Sequence, residues 1–299
     1  MKILITGANG FIGSSLCKSL SSFKIIKAER HNWSDLLAGV DCVIHLASLV
    51  HAHNKSTKES FAEYRSVNVI KTLAFAKNAI SAGVKRFIFI SSIKVNGEFT
   101  KARIRYSPDD IPAPQSIYAM SKLEAEEGLR ALAESSNMEL VIVRLPLVYG
   151  PGVRANFLSM MDNLQRGLPL PFANIDNKRS FVFIDNVIDL LIKLIEHPKA
   201  AGETFLVSDD EDVSTSNLLL DISRELGCPV KLIYIPQWLL IFIFKVMRRD
   251  HLRAQLLESM QIDIRKTKEL LNWTPPVKYL DGIKKTVRAH LENNQTLSK

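Results

Sequence analysis

The chain has 299 residues, 46% of them hydrophobic and 23% charged, with a formal net charge of +8. That is the composition of a soluble globular protein with one and a half to two domains' worth of core, and it excludes a disordered or repeat-built chain. A positive balance suits nucleic acid, an anionic membrane surface or an anionic small substrate. The basic residues are dispersed and make no aromatic-interleaved stripe, which sets nucleic acid aside.

The first predicted element is a buried strand over residues 2–6, from the short apolar run "MKILI". It is too short for a signal peptide, because Thr6 and Asn9 break it. "TGANGFIG" follows, with Gly7, Gly10 and Gly13 spaced three apart, and then a helix over 11–21 carrying Leu16 and Leu20 on one face. Glycines at a strand-to-helix turn aim free N–H groups, here those of Phe11 and Ile12, at whatever lies above the helix end, most often a pyrophosphate. Gly7 permits the tight turn, Gly10 the approach of backbone to phosphate, and Gly13 close packing of helix on strand. The spacing is GxxGxxG, and its position between a strand and a helix makes it a dinucleotide-binding turn.

Further strands are predicted over 24–28, 42–46, 86–91, 139–145 and 203–207. Helices are predicted over 60–82, 116–135, 156–166, 185–196, 214–226, 236–248 and 265–271. This alternation is that of an α/β fold, a doubly wound parallel sheet of Rossmann type with helices on both faces. The stretch after Arg30 is too short for another crossover and strand, so the sheet should lack one strand on the adenine side of a bound dinucleotide. Past residue 150 prolines cluster at 146, 151, 169, 171, 275 and 276 and the alternation fades. Residues 1–150 with about 180–208 therefore form the nucleotide domain. Residues from about 151–179 and 209–299 form a smaller irregular cap over the strand ends, where ligands of open sheets bind.

Cys17, Cys42 and Cys228 are far apart in apolar contexts and read as buried thiols of a reducing, cytoplasmic compartment. His45, His51 and His53 lie close in sequence but have no acidic or thiol companion, so no metal is expected. "WLLIFIF", residues 238–244, is too short to span a bilayer and reads as a core helix. Arg248, Arg249 and Arg253 behind it leave a membrane-surface anchor as the alternative, through 238–249.

"FIFISSIKVNGE", residues 87–98, is an apolar strand ending in Ser91 and Ser92. "SIYAMSKLEAE", residues 116–126, places Tyr118 and Lys122 one helical turn apart. A phenol with a pKa of about 10 is a poor base near neutral pH, and a nearby ammonium should lower that value. With a serine hydroxyl on the same substrate oxygen, the three make a proton relay for alcohol–ketone interconversion coupled to hydride transfer.

The motifs "TGANGFIG", "DCVIHLAS", "VNVIKTL", "FIFISSIKVNGE", "YAMSK", "VRLPLVYGPG", "RSFVFIDNV" and "LLNWTPPV" cover nearly the whole chain. Together they resemble the extended short-chain dehydrogenases/reductases of the NAD-dependent epimerase/dehydratase family. The wording of "SSIKVNGE", "ANFL" and "RSFVFIDNV" resembles its UDP-glucose 4-epimerase-like subgroup, which includes 4-keto-sugar reductases of bacterial O-antigen synthesis. The resemblance implies Tyr118 as catalytic base, Lys122 as its partner and ribose ligand, and Ser92, or less favourably Ser91, as the catalytic hydroxyl. It implies Gly7, Gly10, Phe11, Ile12 and Gly13 at the pyrophosphate, Leu46 and Ala47 lining the cofactor, and Asn68 near it. Asn156, Arg179 and Arg253 are implied at the substrate's diphosphate. Lys94 and Asn96 would lie near the sugar, where Asn96 replaces a common Tyr. Glu29 at a strand end would accept from a ribose 2′-OH and favours NAD, while Arg30 beside it would hold the extra phosphate of NADP. The implied activity is oxidation and reduction at C4 of a UDP-sugar, as a 4-epimerase or a 4-keto-sugar reductase supplying surface polysaccharide precursors, in a protein that often dimerises. A 4,6-dehydratase is disfavoured, since "SSIKVNGE" lacks the carboxylate pair. The remaining alternatives are a non-catalytic dinucleotide-binding scaffold and an epimerase of a lipid-linked sugar at the membrane surface.

Overall fold

The structure is a computed structural model that describes residues 1–29, 33–50, 57–101, 104–247 and 249–297. Arg30, His51, His53 and Arg248 lie outside the described residues.

The first half alternates strand and helix. In order come β1 (Lys2–Thr6), α1 (Phe11–Ser19), β2 (Lys24–Ala28), β3 (Cys42–His45), α2 (Thr57–Tyr64), a π-helical turn (Arg65–Ile70), α3 (Lys71–Ser81), β4 (Arg86–Ser92), α4 (Ile117–Glu134) and β5 (Glu139–Leu145). The second half holds β6 (Leu147–Tyr149), α5 (Ala155–Gln165), β7 (Arg179–Phe183), α6 (Ile184–Glu196), β8 (Thr204–Leu206) and β9 (Asp212–Val213). Five helices end the chain: α7 (Thr215–Leu226), α8 (Gln237–Val246), α9 (Asp250–Leu257), α10 (Arg265–Leu271) and α11 (Tyr279–Leu297).

Six strands form one sheet in the order β2-β1-β3-β4-β5-β8, every pair parallel. Because successive side chains point to opposite faces, one apolar run supplies two cores. Ile3, Ile5, Ile88 and Val141 face α1 and α6, where they meet Leu16 and Leu191. Leu4, Val43, Phe87 and Ile142 face α3 and α4, where they meet Phe75 and Leu129. With β2 at the sheet edge, no further strand lies outside it among the described residues.

A second sheet, β6-β7-β9, pairs Leu147 with Phe181 in parallel and Arg179 with Val213 antiparallel. All three strands escaped the sequence reading, β6 and β9 because they are shorter than any periodicity reveals. α9 and α11 escaped it too: the buried side of α11 includes Thr286 and His290 beside Ile283 and Val287, which dilutes its apolar stripe. The sheets meet at a buried network. Tyr149 donates its hydroxyl to Asp209 at 2.7 Å, and Asp209 accepts from Phe183 N and Asn186 Nδ2.

One expectation is overturned. α8 is not a core helix: Leu240 is its one buried residue, and it rests on α9 with the rest of its apolar surface half-buried or exposed. No helix among the described residues is long and apolar enough to cross a membrane.

Candidate active site

The glycine turn is shaped for close approach. Gly7 has φ +70, and its N-terminal partner contact, Gly10 N–H to Gly7 O at 2.9 Å, closes the turn. A Cβ on Gly13 would lie 2.2 Å from the Gly7 carbonyl oxygen, and one on Gly7 would lie 2.9 Å from Ala47 N. Gly10 caps α1 without a side chain. The first-turn N–H groups, including those of Phe11 and Ile12, have no intrahelical acceptor by construction. Leu46 and Ala47 follow β3, and the Ala47 N–H is held by the Thr6 hydroxyl at 3.2 Å. Glu29 follows β2 directly. Gly7, Gly10, Glu29, Leu46, Ala47 and Ser48 line one groove of about 480 Å³. Tight glycines, a helix N-terminus and an acidic residue at the next strand end fit a dinucleotide, with pyrophosphate over α1 and ribose at Glu29.

His45 belongs to the scaffold. Its ring is buried between the hydroxyls of Thr6 (2.8 Å) and Thr72 (3.0 Å), and burial pulls its pKa down to about 3. Among the described residues no group of side chains is placed to hold a metal ion.

Ser92 ends β4, where its Oγ accepts from Lys94 N at 3.3 Å and so caps the short 3-10 turn that follows. Tyr118 stands in the first turn of α4, whose cap is Ser116 accepting from Ala119 N. The hydroxyls of Ser48 and Ser92 lie near the phenol of Tyr118 and favour its charged form. Burial nevertheless pushes its pKa up to about 12, the opposite of the depression expected from Lys122. The reason is that Lys122 is spent elsewhere. It is buried, with Nζ donating to Ile90 O at 2.6 Å and lying 3.9 Å from the centre of the Phe89 ring. Desolvation pulls its own pKa down to about 7. Ser91, the alternative hydroxyl, has its Oγ buried with no partner in the structure.

Asn68 sits in the π-helical turn, where such irregularities often mark functional sites. Its amide is spent on the protein: it donates to Leu49 O and Ser121 Oγ and accepts from Leu49 N and Ser48 Oγ. Asn68 thereby fixes Ser48, the second hydroxyl beside Tyr118, rather than presenting an amide to a cofactor. Sequence reasoning missed Ser48, although "DCVIHLAS" ends on it.

Ser92, Lys94, Tyr118, Asn156 and Arg179 all line one cleft of about 530 Å³. Beyond Asn156 and Arg179 it meets an inner chamber of about 330 Å³, walled by Phe157, Leu219 and Leu256. Arg179 opens β7, donates Nη1 to the carbonyls of Ala254 (3.0 Å) and Glu258 (2.9 Å), and is lowered by burial to about 10. It stays a fixed cation. Asn156 is oriented by Gln255. Lys94 pairs with Glu98 at 2.8 Å, while the other Glu98 oxygen is buried without a partner beside the cleft.

Two substrate expectations are corrected. Asn96 is 2% exposed and faces away from the cleft: Oδ1 accepts from Arg144 Nη1 at 2.9 Å and Nδ2 donates to Ser107 O. Arg144 is in turn bidentate on buried Glu126, so Asn96 completes a buried polar network. Arg253 reaches Glu258 at 2.6 Å and does not line the cleft or the inner chamber. Arg154 and Arg249 line them instead. Arg154 directly precedes "ANFL", a cue that proximity to Asn156 offered.

The sequence matches the model of the NAD dependent epimerase/dehydratase family over residues 3–208. It is 42% identical to the UDP-glucose 4-epimerase of Vibrio cholerae, over 98% of this chain and 96% of that protein. The N-acetyl-alpha-D-glucosaminyl-diphospho-ditrans,octacis-undecaprenol 4-epimerase of Escherichia coli O157:H7 is 25% identical, over 78% of this chain and 75% of that protein. The crystal structure of UDP-glucuronic acid 4-epimerase from Bacillus cereus in complex with NAD superposes with a TM-score of 0.79 at 23% identity, covering 98% of this chain and 99% of that one.

Proposed function

The chain belongs to the NAD dependent epimerase/dehydratase family, and on that premise we propose that it is a cytoplasmic 4-epimerase of a UDP-hexose. One observation carries the reading: Tyr118 and Ser92 line the same cleft as Arg179 and Asn156. A cleft lined by both a proton carrier and a fixed cation suits a molecule with a reacting hydroxyl and a diphosphate.

Gly7, Gly10, Gly13, Glu29, Leu46 and Ala47 would hold NAD, which when bound supplies reversible hydride transfer at the sugar's C4. Tyr118 takes the proton from the C4 hydroxyl and returns it after the sugar turns over in the cleft. Ser92 orients that oxygen, since it lines the same cleft as the phenol. Ser48, set by Asn68, lies near the phenol and favours its charged form. Lys122 brings a cationic group that a cofactor ribose can share. A tyrosine whose pKa stands at about 12 without nucleotide needs added positive charge to work as a base near neutral pH. Arg179 and Asn156 grip the diphosphate, the guanidinium as a fixed cation suited to phosphate oxygens.

The test is direct. The purified protein should interconvert UDP-glucose and UDP-galactose without added cofactor and release about one NAD per chain on denaturation, because an epimerase regenerates its cofactor in each turnover. Tyr118→Phe should cut turnover by about 10²–10⁴-fold with nucleotide still bound. An empty protein that turns over only with added NADH or NADPH and a 4-keto sugar would make it a reductase.

A further inference from the structure

α8 bears a surface that the epimerase chemistry does not use. Trp238, Phe242 and Val246 recur every fourth residue and are 70%, 59% and 66% exposed. They form one stripe, opposite the side on which Leu240 is buried. Ile233 and Tyr234, just before the helix, are exposed as well. A contiguous apolar surface of this kind marks an interaction site. Residues 226–249 contain no Asp or Glu, and their only charges are Lys231, Lys245, Arg248 and Arg249.

We propose that this face of α8, with Ile233 and Tyr234, docks the protein on an anionic lipid bilayer. The chemistry is that of an interfacial helix. Trp and Tyr favour the boundary between acyl chains and headgroups, and a lysine lets its stem lie along apolar surface while the ammonium reaches a phosphate. Exposed Lys245 sits within the helix, flanking the stripe, where its ammonium would stand at headgroup level when the stripe enters the membrane. The helix has 10 residues, about half of what a bilayer crossing needs, so it lies in the membrane plane. A second copy of the chain is the poorer occupant. A two-fold interface would set this all-cationic segment against itself.

The docked face is one helix from the substrate. α8 packs on α9, and Leu252, Gln255 and Leu256 of α9 wall the inner chamber that also holds Arg179. The bilayer surface would therefore lie beside the chamber that takes the far end of the substrate.

The experiment is flotation of the full-length protein with phosphatidylcholine vesicles, with and without phosphatidylglycerol, at low salt. The protein should float with the anionic vesicles only. The variant Trp238→Ser/Phe242→Ser should bind them at least ~10-fold more weakly, and Lys245→Glu should lose much of the preference for anionic lipid. Both variants should keep their UDP-sugar turnover within about twofold, because none of the three positions lines the cleft or the inner chamber. Brominated lipid should quench the wild-type tryptophan emission, since Trp33 and Trp273 are buried and only Trp238 can meet acyl chains. Failure of the wild type to float, or unchanged flotation of the double variant, overturns the proposal. So does a wild-type dimer that ignores vesicles and dissociates on the double substitution, which would assign the patch to a second copy.

Discussion

Lys122 is held in a place that costs the fold stability, and that cost is measurable. Its ammonium is fully buried on Ile90 O and the Phe89 ring, and its nearby acid, Glu126, is already bidentate on Arg144. Desolvation lowers its pKa from 10.5 to about 7. That fall corresponds to about 5 kcal/mol against the charged form. The folded value is depressed, so between pH 7 and 10.5 the unfolded chain binds more protons than the folded one. Stability therefore rises with pH across that window, and the penalty is fully in force below it. From those two values the wild type should gain about 2 kcal/mol between pH 7 and pH 9 relative to Lys122→Met, which cannot titrate. The assay is urea unfolding of both proteins, stripped of nucleotide, at the two pH values; the difference of differences cancels every other titrating group. Lys122→Met should also be the more stable protein at pH 7 and the inactive one. A stability gap that stays constant from pH 7 to 9 would refute the reasoning.

Gly13→Ala should abolish retention of nucleotide and lower stability, since the new methyl meets the Gly7 carbonyl and the Ala8 Cα, neither of which can yield; released NAD and a thermal melt check it. Arg179→Lys keeps the charge but loses the planar guanidinium whose Nη1 is anchored on Ala254 O and Glu258 O, so KM for the UDP-sugar should rise about 10-fold with kcat little changed in steady-state kinetics. Asn96→Ala removes a buried acceptor from Arg144 and should cost about 1–3 kcal/mol in denaturant unfolding while leaving KM alone. A raised KM with unchanged stability would return Asn96 to the sugar site.

The nucleotide half was legible because its signals are local. Apolar runs bounded by turns became β1 to β5, and three glycines in one turn fixed where α1 points. Tyr118 and Lys122 were found because helical spacing makes one turn a sequence-level fact. What stayed hidden depends on partners far along the chain. Asn96 looked like a sugar ligand until Arg144 appeared, 48 residues on, as its partner. Lys122 looked like a modifier of Tyr118 because spacing says nothing about burial, and burial dominates both groups. Arg253 and Arg249 are one helical turn apart, and the choice between them rests on Glu258, which takes the former. "WLLIFIF" reads the same whether it faces core or solvent; only its burial in the structure, with Leu240 alone buried in α8, tells them apart.

β8 completes the six-stranded sheet on the far side of β5, yet it is made long after it. Ile142, Val143 and Arg144 wait for Thr204, Phe205 and Leu206. At ribosomal rates the interval from residue 145 to 206 lasts about 3–12 s. During that time β5 presents an unpaired, apolar edge, the kind of template on which nascent chains aggregate. A fragment ending after β5 would keep that edge permanently. The six-stranded sheet is thus closed only once the segment that crosses out to β7 and returns has been made.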